Sequence, residues 1–301
     1  MKQSYLLSII LPFAVGVTAN DSLAQRVISL YPGKIPNNIN TTNSPDKSNA
    51  DKSIYSRVTK PTLTLYPGNE TAVKKTAVII CAGGGYAELN IKREGYSIAE
   101  AFNKAGVAAF VLKYRLPDDK SNSDKSIAPL QDAQQAIKVV RDSAEKWNID
   151  PEKIGIMGFS AGGHLAASLG THYSDLMINN VSSTNLRPDF MLLVYPVISF
   201  RDLFGHVGSR NNLLGKSPSK KSIDYFSNEL HVNKQTPPAF LVHAGDDEIV
   251  NVANSVKFYE ELQKNNVPAD LHIYAKGGHG FGKTPVFEEW FGRCIVWLNG
   301  L

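Results

Sequence analysis

The stretch Lys153 to Ala167 constrains this chain more than any other. An apolar strand, Ile154 to Met157, runs into the tight turn Gly158-Phe159-Ser160-Ala161-Gly162, which opens directly into a helix through Gly163, His164 and Leu165. This is a GxSxG nucleophile elbow: a serine at the tip of a strand-to-helix turn sits in strained backbone geometry, and glycines at 158 and 162 supply the room that geometry needs. The turn pushes the Ser160 hydroxyl out of the sheet and aims the free N–H groups of the next helix at whatever Ser160 attacks. A bare GxSxG arises often by chance, so the rest of the chain has to supply the partners.

A chain of 301 residues can bury one large core. Thr62-Leu63-Thr64-Leu65-Tyr66 alternates as an exposed edge strand does, with a turn through Pro67-Gly68-Asn69 after it. The unbroken apolar run Thr76 to Cys81 reads as a strand covered on both faces, and so do Val107 to Leu112, Phe190 to Tyr195 and Ala239 to His243. A further strand is expected from Asp270 to Tyr274. Between them, helical spacing appears at Glu94 to Ala105, Pro129 to Trp147, Val250 to Lys264 and Phe287 to Leu298. Alternating strands and helices predict a doubly wound, mostly parallel sheet with helices on both faces. Ser199 to His231 fits the alternation poorly; it is either a small cap over the pocket or an ordinary surface insertion. Arg26 to Tyr55 is rich in polar residues and short of apolar ones after Ile39, which predicts a loosely ordered segment from 25 to 57 and a folded domain from Val58 to the end.

At the start, Lys2 precedes an apolar run from Tyr5 to Val17, and Ser22-Leu23-Ala24 suits signal peptidase. Cleavage after Ala24, with Ala19 as the alternative, and export to a periplasm or beyond are expected. The run is too short, and too interrupted by Pro12, to predict a stable membrane span. Cys81 and Cys294 both fall at apolar positions and are expected as free core thiols. A formal net charge of +4, with lysines scattered through loops, argues against a nucleic-acid surface.

In a sheet of this kind reactive groups belong at the carboxyl ends of strands. Ser160, the triplet Gly83-Gly84-Gly85, the pair Asp246-Asp247 and His279 all fall there, and the chain order Ser, Asp, His is that of the α/β hydrolases. A serine hydroxyl is a weak nucleophile until a base takes its proton, and the imidazole of His279, between glycines, is the candidate base. Asp247 is the preferred acid to orient it, three residues ahead of Val250; Asp246 is the alternative. An oxyanion needs N–H donors already in place, expected from Ala161 and from Gly84 and Gly85, with Tyr86 either adding its own N–H or lining a substrate pocket. The other histidines show no metal-ligand spacing, so no metal or cofactor is expected. His243 and His272, on strands, are expected to be satisfied core groups.

Cys81 to Tyr86, Lys113-Tyr114-Arg115-Leu116-Pro117, Pro129 to Ala133, Gly158 to Ala166, Arg187-Pro188-Asp189, Tyr195-Pro196, Pro237 to His243 and Gly277 to Phe281 together resemble the acetyl xylan esterase and feruloyl-esterase-like branch of the α/β hydrolases. The resemblance runs from about Val58 to the C-terminus. It departs at Ala82, where that branch more often has proline, which bears on the start of the oxyanion loop. It implies secreted, cofactor-independent esterases that remove small acyl groups, chiefly acetyl, from plant polysaccharides or their oligomers. The expected partner is therefore a small acylated carbohydrate. Two rival readings stay open at this level: a serine exopeptidase of the same fold, and a non-catalytic protein that kept the scaffold.

Overall fold

The computed structural model describes residues 26–39, 45–68 and 73–301. The expected leader, 1–24, lies outside the described residues, as does Asn69 of the predicted turn.

The strands in chain order are β1 (Arg26–Ser29), β2 (Lys47–Ser48), β3 (Tyr55–Arg57), β4 (Thr62–Tyr66), β5 (Lys75–Cys81), β6 (Ala108–Lys113), β7 (Ile149–Phe159), β8 (Met191–Val194), β9 (Ala239–Ala244) and β10 (Ala269–Tyr274). The helices are α1 (Ser97–Lys104), α2 (Ala128–Asp142), α3 (Ala161–His172), α4 (Val207–Leu214), α5 (Lys220–Tyr225), α6 (Ala253–Lys264) and α7 (Phe287–Asn299). Eight strands form one sheet in the order β1-β4-β6-β5-β7-β8-β9-β10, and β2 and β3 form a separate hairpin. From β6 to β10 every pairing in the large sheet is parallel; β4 is antiparallel to both β6 and β1.

From β5 the chain crosses to β6 on one side, then jumps back over β5 to β7 and continues outward to β10. Right-handed crossovers running in opposite directions put their helices on opposite faces, so α1 lies on one face and α2, α3 and α6 on the other. The last helix joins α1: Phe102 and Phe291 meet with ring centroids 4.9 Å apart. The reversal leaves a crevice beyond the carboxyl ends of β5 and β7, where this architecture builds its sites. Register brings those ends side by side, Cys81 opposite Gly158. The fold is that of the α/β hydrolases.

The expected elements are present; α2 stops at Asp142, short of the predicted Trp147, β7 starts at Ile149, ahead of the predicted Ile154, and three further differences have a physical reason. Thr62–Tyr66 is not an edge strand, because β1 pairs along its outer side. The predicted helix from Glu94 starts instead as a π-helical turn, Lys92–Tyr96, that runs into α1. The third is that described residues ahead of Val58, from Arg26 on, are packed against the sheet. Leu30 is buried, the Tyr31 hydroxyl donates to Asp132 at 3.0 Å, and the Pro36 carbonyl accepts from Arg115 at 2.7 Å. Arg115 is itself buried and forked onto Asp132, with Nη2 to Oδ1 at 2.8 Å. A largely polar segment is held here by burying a few apolar side chains and by satisfying a buried ion pair, a pairing that composition does not reveal. Cys81 and Cys294 are both buried free thiols.

Candidate active site

Ser160 sits at φ 50°, ψ −117°, a conformation that costs a side-chain-bearing residue about 1–3 kcal/mol and persists only where its surroundings enforce it. Its N–H donates to the Val194 carbonyl at 3.1 Å, and its carbonyl accepts from His164 and Val197 at 3.1 and 3.0 Å. The flanking glycines are required by contact. A Cβ at Gly158 would lie 2.0 Å from the Gly162 oxygen, and one at Gly162 would lie 2.1 Å from the Cys81 oxygen.

The structure brings the three predicted side chains into one relay. Ser160 Oγ is 2.9 Å from His279 Nε2, and His279 Nδ1 is 2.7 Å from Asp247 Oδ2. Because a carboxylate can only accept, Nδ1 carries the proton and Nε2 is left to accept from the serine hydroxyl. Oδ1 of Asp247 accepts the Ile249 and Val250 amides, each at 2.9 Å. Burial pulls the Asp247 pKa upward, but hydrogen bonds from His243 and His279 and the Val250 amide outweigh it and hold the carboxyl far below the usual range. Asp246 does something else: its Oδ1 accepts the Gly278 amide at 2.9 Å, pinning the loop that carries His279.

His243, read from sequence as a satisfied core group, is also the second clamp on Asp247. Its Nε2 reaches Asp247 Oδ2 at 3.1 Å and the Val250 carbonyl at 3.0 Å, and its Nδ1 meets the Ser255 hydroxyl at 2.8 Å. Since Val250 offers only an acceptor, Nε2 is protonated and donates. The signal available in sequence was the spacing of His243 four residues before Asp247, which by itself has many other readings.

On the β5 side, Gly84 adopts φ 134° and Gly85 φ 63°, and a Cβ on Gly84 would lie 2.2 Å from the Glu88 carbonyl oxygen. The Gly83 amide is already committed, donating to Glu94 Oε2 at 2.8 Å. No hydrogen bond within the described residues engages the amides of Gly84, Gly85 or Ala161. Glu94 is a buried anchor that sequence reading took only for the start of a helix. Its Oε1 also accepts from Tyr195 Oη at 3.0 Å and from Arg93 at 2.9 Å. The Tyr195 ring stands edge-on to His279 at 5.0 Å, so one carboxylate braces both the oxyanion loop and the wall beside the base.

Tyr86 borders a groove beside the oxyanion loop, with its side chain turned into the protein. Its side chain is 2% exposed and its hydroxyl meets His164 Nδ1 at 2.8 Å. His164 Nε2 donates to the Phe226 carbonyl at 2.8 Å, and its ring stacks on Phe200 at 4.2 Å. Burial pushes the His164 pKa down to about 4, so the imidazole is neutral and Tyr86 is the donor. This knot ties the oxyanion loop, the elbow helix and the Ser199 to His231 excursion together. The excursion carries α4 and α5 and borders the site: Asn212 donates to the Gly85 carbonyl at 2.8 Å. His206, at the start of α4, is lowered in pKa chiefly by burial.

An α/β-hydrolase sheet with Ser160, His279 and Asp247 in hydrogen-bonded sequence at its crevice defines the class of this protein. The BD-FAE family model matches residues 63–262, and the chain belongs to that family. It is 40% identical over 219 residues to an acetylxylan esterase of Xylanibacter ruminicola, covering 71% of this chain and 42% of that protein. It is 35% identical over 236 residues to endo-1,4-beta-xylanase B of Butyrivibrio fibrisolvens, covering 77% and 36%. The chain therefore spans less than half the length of these two relatives. Among solved structures, the acetyl ester-xyloside bifunctional hydrolase from Caldicellulosiruptor lactoaceticus superposes with a TM-score of 0.77 at 35% identity, covering 91% of this chain and 96% of that one.

Proposed function

We propose that this protein is an exported serine carboxylic-ester hydrolase that removes acetyl groups from xylan or its oligosaccharides through an acyl-enzyme. The observation that carries the reading is the relay from Ser160 Oγ through His279 to Asp247, at 2.9 and 2.7 Å, on a strained elbow. Kinship with proteins named for acetylxylan and acetyl ester hydrolysis supports the choice of ester.

In this reading His279 Nε2 takes the hydroxyl proton as Ser160 Oγ attacks the acetyl carbonyl, and Asp247 stabilises the imidazolium without becoming protonated. The tetrahedral oxyanion is received by the Ala161 amide with those of Gly84 and Gly85. His279 then protonates the departing sugar oxygen, leaving acetyl-Ser160. Water, deprotonated by His279, repeats the attack and releases acetate. The chemistry calls for no cofactor. The apolar run and Ser22-Leu23-Ala24 at the start support export with cleavage after Ala24, which N-terminal sequencing of protein recovered outside the cytoplasm would check.

Acetate release from acetylated xylo-oligosaccharides tests the function, with 4-nitrophenyl acetate, methyl ferulate and an aminoacyl amide run beside them. Release by the unaltered protein and none by Ser160→Ala supports the reading. Turnover of the nitrophenyl ester alone would discard xylan, and preference for the amide would make the protein an exopeptidase.

A further inference from the structure

Beside the oxyanion loop lies a groove of about 520 Å³, within the range of small-ligand sites. Tyr86 and Ala87 form part of one side, and Asn212, whose amide holds the Gly85 carbonyl, forms part of another. Its other walls come from the β2–β3 hairpin and the loop after β6, and they bring Lys47, Arg57, Lys120 and Lys125 against a single carboxylate, Asp118. Lys125 is paired with Asp119 outside the groove. Among the described residues no carboxylate pairs with Lys47, Arg57 or Lys120. The nearest candidate in sequence, Asp46, is taken by Lys113.

Scattered surface cations are normally just solvated. Here, however, Lys47 and Arg57 are direct cross-strand partners in a two-stranded hairpin. Like charges in that position destabilise the pairing, so the hairpin does not gain from this choice of residues. What does gain is an anion in the groove. The groove adjoins the Gly84-Gly85 loop, through Tyr86, the next residue, and through Asn212, which holds the Gly85 carbonyl, so its fitting occupant is the alcohol portion of an ester attacked at Ser160.

We propose that this groove is a subsite for a saccharide bearing a carboxylate, a uronic-acid residue on the same chain as the acetyl ester. The proposal rests on the esterase reading above and deepens it. The carboxylate lies among Lys47, Arg57 and Lys120, while the side chains of Asn211, Asn212 and Ser56 face the sugar hydroxyls. The cations act on binding of substrate and transition state alike, so their effect falls on KM and not on kcat.

The test is calorimetric titration of the full chain carrying Ser160→Ala with two xylo-oligosaccharides of equal length, one bearing a glucuronic acid side group and one unsubstituted. The acidic ligand is expected to bind on the order of fivefold tighter. That preference should shrink at about 0.5 M salt and disappear when Lys47, Arg57 and Lys120 are replaced by Ala, in variants whose unfolding midpoints match the parent. Equal affinity for the two ligands, or a preference that survives loss of all three cations, would overturn the subsite. Because the inert variant needs no turnover, a failure of deacetylation and a failure of the groove are read separately.

Discussion

Replacing Glu94 by Ala removes the acceptor for two buried donors, the Gly83 amide at 2.8 Å and the Tyr195 hydroxyl at 3.0 Å. Each buried donor left without a partner costs about 1–3 kcal/mol, so a loss of roughly 2–6 kcal/mol in unfolding free energy is expected. Arg93 adds little, because its side chain is 66% exposed and water can replace the contact. Glu94→Gln should cost far less, about 1 kcal/mol: its oxygen still serves Gly83, and its amide can donate to a Tyr195 hydroxyl that rotates to accept. The catalytic consequence follows from position. Gly83 anchors the loop that presents Gly84 and Gly85, and loss of one oxyanion donor lowers kcat by about 10²–10³. Urea unfolding at pH 7, with steady-state hydrolysis of 4-nitrophenyl acetate, reads both quantities. An Ala variant within about 0.5 kcal/mol of the parent, with unchanged kcat, would refute the idea that this carboxylate braces the site.

The two adjacent acids separate cleanly: Asp247→Asn should lower kcat by about 10⁴ with the fold retained, whereas Asp246→Asn, which loosens the Gly278 anchor and the Lys276 pair of a half-buried group away from the relay, should cost far less; equal losses in kcat would contradict the assignment. Mild acid should destabilise the fold through two buried histidines. Burial pushes His164 and His172 from 6.5 down to about 4, so the unfolded chain binds more protons between those values and stability falls as pH drops through that window. At about 1.4 kcal/mol per unit the loss is on the order of 2–3 kcal/mol for each histidine, and a urea midpoint that stays flat from pH 7 to about pH 4.5 would contradict it. Gly158→Ala should yield little folded protein, since its Cβ would lie 2.0 Å from the Gly162 oxygen; a well-folded, active variant would mean that the elbow tolerates a wider turn.

The parts of this protein that sequence made legible are those set by period and by strained turns. Apolar runs placed β5, β6, β8 and β9 within a residue, while β7 begins five residues before the predicted Ile154; the elbow placed Ser160, because both signals are local. Asp247 and His279 were found through topology: strand ends in a doubly wound sheet face one crevice. What escaped were interactions between residues far apart in the chain. Glu94 braces Gly83 and Tyr195, which is 101 residues away, and nothing in the local pattern of Lys92 to Lys104 distinguishes such a glutamate from a solvated one. The same holds for Arg115 and Asp132, whose buried pair recruits Tyr31 and Pro36 and so orders a segment that composition assigned to loose chain. The inward anchor of Tyr86 escaped for a related reason: its neighbours in sequence are glycines of the loop, whereas its hydroxyl partner, His164, comes from the helix behind the elbow.

The central claim is that the Ser160 hydroxyl is made nucleophilic by His279 and Asp247. A fluorophosphonate probe, followed by intact mass and peptide mapping, tests it most directly. The account predicts a single adduct on Ser160, no adduct in Ser160→Ala, and slow labelling in Asp247→Asn. Labelling at another residue, or none in the unaltered protein, would contradict it.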